Sequence, residues 1–333
     1  MRPSFLDTYE SSELQKRTQQ LLARLESCDI CPRECGVDRT QGQLGFCVSP
    51  AAPLVASICR HHGEEPPVSG TRGSGTIFFA NCNLRCVFCQ NHQISQNPAA
   101  YASHVISTRD LAEDMVRLQD ELGCHNVNLV SPTHFVPAIM EALCIAIPLG
   151  LRIPLVYNTG GYDSVDVLRM LDGVVDVYLP DLKYASNAVG GRLSQVNDYV
   201  EKSRAALVEM HRQVGSALTW GNDGTVSRGM IVRHLVLPGG LAGSEESLRW
   251  LAEELSPDIA LSLMAQYYPA HRATTMAVLS RPLGASEYDD VVRSVQEMGF
   301  SNVWTQETRA QEYYRPDFSR EEHPFEADTP GTV

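Results

Sequence analysis

The sequence predicts an α/β protein built on a parallel sheet, and three observations carry that prediction. From about residue 74, short apolar runs alternate with longer amphipathic ones, as strands joined by crossover helices do. The strands are rich in Val, Ile and Leu at both odd and even positions. Ile231, Val232, Leu235, Val236 and Leu237 are an example, and they suit a sheet covered on its outer side. Polar residues collect at the carboxyl ends of the same runs, where parallel α/β folds gather ligands. Six or seven such units could form a barrel, open or closed, or a doubly wound sheet. The residues alone do not separate the two.

In chain order, residues 8–26 read as an amphipathic helix, with Leu14, Leu21, Leu22 and Leu25 near helical spacing. Residues 28–70 are rich in cysteines and turn formers. Strands are expected over 76–81, 126–131, 154–158, 174–182, 230–237, 259–267 and 301–305. Helices are expected over 108–122, 134–149, 164–171, 193–217, 245–254 and 285–298. Thr108 and Ser286 suit the N-caps of two of these helices. The stretch 307–333 is charged and aperiodic and reads as a loosely held tail. The chain therefore divides into an N-terminal helix with a cysteine-rich module (1–70), a core (71–306) and a tail (307–333).

Composition narrows the function classes. No apolar run is long enough to span a bilayer, so no membrane role is expected. The net charge of −13 argues against nucleic acid as a partner, because phosphate backbones call for basic surface. The N-terminus lacks an apolar signal region. Ten cysteines without such a signal point to a reducing compartment, the cytoplasm, with thiols used for metals.

The run Cys82-Asn-Leu-Arg-Cys86-Val-Phe-Cys89 follows directly on the apolar stretch Thr76–Ala80. Its spacing supplies three thiolates. A four-iron cube needs one outer ligand per iron, so three protein ligands leave one iron open to chelate a small molecule through amino and carboxylate groups. A zinc site would need a fourth ligand, for which His92 could serve.

The remaining strand ends carry Ser131-Pro132-Thr133-His134, Asn158-Thr159-Gly160-Gly161, Asp181-Leu182-Lys183, Arg233-His234 and Gln266. Each has an ordinary structural reading, as a turn, a surface ion pair or a satisfied polar residue. At ends that converge on one mouth, a shared ligand accounts for them together.

In this order, Gly75–Phe79 with the three cysteines and Gln90-Asn91, then Asn158-Thr159-Gly160, Asp181-Leu182-Lys183 and Val232–Gly239, the chain resembles the radical S-adenosylmethionine (SAM) enzymes. Within them it looks most like the proteins named pyruvate formate-lyase activating enzyme-like, over roughly residues 70–305. The resemblance implies a partial (β/α)6 TIM-like barrel and a [4Fe-4S] cluster on Cys82, Cys86 and Cys89, the candidate catalytic residues, with SAM on the fourth iron. It implies an oxidoreductase that cleaves SAM to methionine and a 5′-deoxyadenosyl radical. The electron would come from a one-electron donor of flavodoxin or ferredoxin type, and the substrate would be a protein glycine, another peptide or a small molecule. Carried over by motif, Phe88 lies near the adenine. Asn158 and Thr159 lie near the ribose or a cation site, Asp181 and Lys183 at the next strand end, and Arg233 near the SAM carboxylate. Gln266 stands where activating enzymes often have a histidine. The Gly-Gly-Glu motif that grips the SAM amino group is missing, and Thr133 is the candidate partner in its place.

Upstream, Cys28, Cys31, Cys35 and Cys47 make a four-thiolate set separated by glycines. It suits structural zinc, an auxiliary [4Fe-4S] cluster or reduced cysteines in a core. His61–Pro66 could line or close the barrel mouth; the preferred reading is a polar connecting loop. The competing function is a non-catalytic metal or iron–sulfur scaffold, which leaves Asn158, Lys183 and Arg233 without a task. Two-electron SAM methyl transfer leaves the three-cysteine run unexplained.

Overall fold

The computed structural model describes residues 2–307, 315–320 and 323–325. Among them the strands are β1 (Val55–His61), β2 (Ser74–Phe79), β3 (Val127–Val130), β4 (Leu155–Thr159), β5 (Val177–Pro180), β6 (Thr219–Trp220), β7 (Val226–Leu235), β8 (Ala260–Met264) and β9 (Val303–Thr305). The sheet order is β1-β2-β3-β4-β5-β7-β8-β9, with β6 folded back on β7. Neighbours from β2 through β9 along that path are parallel. The architecture is the expected α/β fold on a parallel sheet, a partial TIM-like barrel whose two edges are β1 and β9.

The helices are α1 (Phe5–Glu10), α2 (Glu13–Ala23), α3 (Pro66–Ser69), α4 (His92–Ser95), α5 (Pro98–Tyr101), α6 (Thr108–Asp120), α7 (Val136–Leu149), α8 (Val165–Met170), α9 (Asn187–Ser194), α10 (Tyr199–Val214), α11 (Ser244–Glu254) and α12 (Ala285–Glu297). The longer crossover helices cover the sheet as their patterns require. Leu111, Ala112, Met115 and Leu118 form the buried stripe of α6. Leu14 and Leu21 are the buried stripe of α2, which packs on α7. Among the described residues, no helix is long and apolar enough to cross a membrane.

Several expectations are corrected in detail. The helix expected over 8–26 breaks at Ser12, and the one over 193–217 gives way to α9 and α10, with Gln195 between them; both residues have positive φ. Ser107, not Thr108, caps α6. Its hydroxyl accepts the Asp110 N–H at 3.1 Å while the Asp110 carboxylate accepts the Ser107 N–H at 3.1 Å, a reciprocal box. Gly284 leads into α12, its N–H donating to Glu287 at 2.9 Å.

A larger correction is β1, which lies inside the segment read as turn-rich. It is antiparallel to β2 and pairs His61 with Ser74, so the chain leaves β1 at the amino end of the barrel. The next residues turn into the lumen. Val68 of α3 packs there with Val156, Val177, Leu179, Ile231 and Ala260, forming a floor.

Of the stretch expected as a tail, residues 308–314, 321–322 and 326–333 lie outside the described residues. The Phe318 ring is edge-on to Phe78 at 5.2 Å, and Phe325 stacks on His61 at 4.0 Å. The Phe318 N–H donates to Gln93 Oε1 at 2.9 Å. Pro316 and Phe325 share one cavity lining with Trp304 and Thr305 of β9 and His61 of β1, so they sit in the seam between the two edge strands.

Candidate functional site

A cavity of about 240 Å³ opens at the carboxyl ends of the strands. Cys82, Cys86 and Cys89 line it, on the loop that leaves β2. Asn81 turns the chain there at φ +67°, a conformation that asparagine tolerates, and its amide donates to the Val48 carbonyl at 2.9 Å. Each sulfur has a polar neighbour. The Leu84 N–H donates to Cys82 Sγ at 3.4 Å, the Ser194 hydroxyl to Cys86 Sγ at 3.0 Å, and Ser95 Oγ lies 3.2 Å from Cys89 Sγ. Burial pushes the Cys82 thiol up to about 11, and burial with neighbouring Cys86 pushes Cys89 up to about 12. A metal that takes these sulfurs as thiolates must displace their protons.

The strand-end residues arrive at the same cavity and are already joined. Arg233 donates through Nε to Asp181 Oδ1 at 2.8 Å and through Nη2 to Asn158 Oδ1 at 2.6 Å. Lys183 Nζ donates to the other Asp181 oxygen at 2.5 Å. Burial works against the Asp181 carboxylate, yet Arg233 and Lys183 override it and hold its pKa below the ordinary range. Burial also opposes the Lys183 ammonium, and Asp181 reverses that shift. Gly161 makes the convergence possible. At φ +78°, a Cβ there would stand 2.2 Å from the Asp181 carbonyl oxygen.

Phe88 and Gln266 also line the cavity. The Phe88 ring is edge-on to Tyr184 and Tyr267. The Gln266 carbonyl accepts the Gln90 side-chain amide at 2.8 Å, tying β8 to the cysteine loop. Thr159 lines the cavity, but Thr133 does not. The Thr133 hydroxyl instead donates to Asp163 Oδ1 at 2.7 Å, alongside Thr159 to Oδ2 at 2.6 Å and Tyr157 to Oδ1 at 3.0 Å. Burial raises the Asp163 pKa, and these three hydroxyls oppose the rise. His134 faces the Ala80 carbonyl at 3.0 Å, and burial pushes its pKa down to about 3.

Two acids come from the segment for which a connecting loop was the preferred reading over a lining of the barrel mouth. Glu64 and Glu65 lie in the loop between β1 and α3, and both reach the cavity from its floor. Glu64 Oε2 stands 3.7 Å from Arg233 Nη1, and the Asn158 amide donates to Glu64 Oε1 at 3.3 Å. Glu65 is buried with Oε2 unpartnered. Burial raises its pKa, Arg233 opposes the rise and Glu64 adds to it. The only sequence signal was two adjacent acids before Pro66-Pro67; nothing local aims them inward. Pairing of β1 with β2 does.

The sequence model of the radical SAM superfamily matches residues 76–219, the stretch that holds the cysteine loop and β2 through β6. That match supports membership of the radical SAM superfamily. The chain is 29% identical over 287 residues to an uncharacterized protein of Methanocaldococcus jannaschii, MJ0674, covering 84% of this chain and 77% of that one. Among solved structures it is similar to a radical SAM methyltransferase from Sphaerobacter thermophilus (TM-score 0.47, 15% identity, 69% of this chain). It is also similar to HydG, a maturase of the [FeFe]-hydrogenase (TM-score 0.44, 10% identity, 72% of this chain). The chain spans 65% and 53% of those two proteins, less than two thirds of either.

Proposed function

We propose that this cavity holds a [4Fe-4S] cluster on Cys82, Cys86 and Cys89, takes SAM beside it, and presents a substrate C–H bond for hydrogen abstraction. The observation that carries the reading is that three cysteines share one lining with Asn158, Lys183 and Arg233. The donor set fits the group: three sulfurs, each with a polar neighbour, beside cations suited to a carboxylate. When bound, the cluster supplies the electron that splits SAM into methionine and a 5′-deoxyadenosyl radical.

The chain's own residues bind and orient. Lys183, with one proton on Asp181, has others for a ligand oxygen. Arg233 is held in place by Asp181 and Asn158, so its remaining N–H groups point in fixed directions. Phe88 offers an apolar face. Glu64, Glu65 and Asp181 outnumber Lys183 and Arg233 in the lining, which suits a ligand carrying a sulfonium. Electrons come from a one-electron donor of flavodoxin or ferredoxin type.

Pro316 and Phe325 in the seam support a compact substrate, either a small molecule or the tip of a peptide loop. A backbone glycine, as the activating-enzyme resemblance implies, belongs to the second class. The test is isotopic. Reconstituted protein is given SAM, a reductant and deuterated candidates, and the 5′-deoxyadenosine is weighed. A true substrate transfers its deuterium. SAM cleavage with no transfer from any compact candidate, but with transfer from an extended protein segment, would overturn the compact-substrate reading.

A further inference from the structure

Outside the cavity, the four upstream cysteines form a second concentration of thiols. Cys28, Cys31 and Cys47 are buried, Cys35 is partly so, and none is in a disulfide. All four line one small enclosed pocket with Arg39, Gly45 and His134. The backbone is shaped around their sulfurs. The Phe46 N–H donates to Cys35 Sγ at 3.4 Å, and a Cβ on Gly45 would stand 2.9 Å from that same sulfur. Only glycine lets the chain pass so close.

Arg39 gives an independent indication. It is 3% exposed, and its guanidinium meets the carbonyls of His134 and Pro50 and, at 3.8 Å, Cys28 Sγ. Its Nε has no partner, and among the described residues no carboxylate forms an ion pair with it. A buried guanidinium wants a counter-charge. Four thiolates around a metal centre carry net negative charge and would supply it.

The four cysteines share one pocket lining. Among the described residues, no group of three or more His, Cys, Asp or Glu is placed to hold a single ion. A four-iron cube takes one thiolate at each iron, at separate corners. The site also shares a wall with the first cysteine loop. Arg33 Nε donates to the Asn83 carbonyl at 3.0 Å, and Arg85 Nη2 donates to the Phe46 carbonyl at 2.7 Å. Both guanidinium groups lie over the Phe46 ring.

We infer that Cys28, Cys31, Cys35 and Cys47 bind a second, fully ligated four-iron cluster packed against the loop of the first. The centre closes the N-terminal module onto the barrel, and its four protein ligands leave no iron open to SAM. The inference stands apart from the proposed function, since it requires nothing of the cavity.

The test is metal content of the anaerobically reconstituted full chain, with zinc measured alongside iron and sulfide. Wild type should hold about eight irons per chain and no zinc. Cys82→Ala/Cys86→Ala/Cys89→Ala should keep about four, and Cys31→Ala/Cys35→Ala should also keep about four. Wild type with about four irons that vanish in the triple variant would overturn the inference, as would about four irons with one zinc. Loss of the first cluster alone, with the second retained in the triple variant and in wild type alike, would contradict the proposed function and leave this inference standing. A wild-type count of about eight stands without the variants; where the count is about four, irons kept in Cys31→Ala/Cys35→Ala belong to the first loop and overturn the inference, and irons kept in the triple variant belong to the upstream set.

Discussion

Arg233 holds the cavity together at the scale of single residues. It binds Asp181 and Asn158 directly and faces Glu64, with Glu65 close by. Removing it leaves Glu64 without its cation and Asp181 with Lys183 alone. Arg233→Met should therefore cost about 3–5 kcal/mol of stability. Arg233→Lys should recover part of the loss, since it restores charge without the fork. Urea denaturation of the two variants checks this, and Arg233→Met within about 1 kcal/mol of wild type would contradict the network reading. The cysteines, Asn158 and Lys183 were legible in the sequence because they follow apolar runs, and Arg233 because it interrupts one. For Glu64 and Glu65 the connecting-loop reading was preferred over a cavity lining, because long-range strand pairing aims them. Thr133 was placed at the right strand end, but Asp163 turns its hydroxyl away from the cavity.

At the scale of elements, β7 faces two ways. Arg233 points into the barrel, while the next residue, His234, is fully buried on the other side. Its Nδ1 lies 2.7 Å from the Leu182 carbonyl and its Nε2 lies 2.8 Å from the Ser244 hydroxyl at the start of α11. A carbonyl only accepts, so Nδ1 carries the proton and Ser244 donates to Nε2. Burial pushes this histidine down to about 4, against the opposing pull of the Leu182 carbonyl. The folded state thus favours the neutral ring. That stability is fully present above the unfolded pKa near 6.5 and is lost as pH falls toward 4. Between pH 7 and 5, wild type should lose on the order of 2 kcal/mol more than His234→Gln. Denaturation midpoints at the two pH values measure it; parallel losses in both proteins would contradict the assignment. The long apolar runs made most strands and helices readable. β1 was hidden because Arg60 and His61 interrupt its pattern, and its pairing with β2 supplies what its composition does not.

For the whole molecule, the barrel is open between β1 and β9, and the described C-terminal residues fill that seam. Phe325 stacks on His61 and lines the cavity. Phe325→Ala should lower stability by about 1–3 kcal/mol. It should also hasten the bleaching of a reconstituted cluster in air, because the seam then admits solvent. Unchanged bleaching would mean that the seam does not guard the cavity. The sequence reading treated this stretch as a tail because charge and aperiodicity dominate it. Two isolated phenylalanines carry no periodic signal, yet each meets an aromatic partner, Phe325 on His61 of β1 and Phe318 on Phe78 of β2. The parallel sheet, by contrast, was legible throughout, since every unit repeats the same strand-and-helix pattern.

The most direct measurement compares wild type with Cys86→Ala for 5′-deoxyadenosine formed from SAM under anaerobic reduction. The account predicts steady formation by wild type and none by the variant, whose Ser194 and cavity remain but whose third sulfur is gone. Formation at comparable rates in both proteins, or none in a wild type with its cavity cluster intact and its substrate supplied, would contradict it.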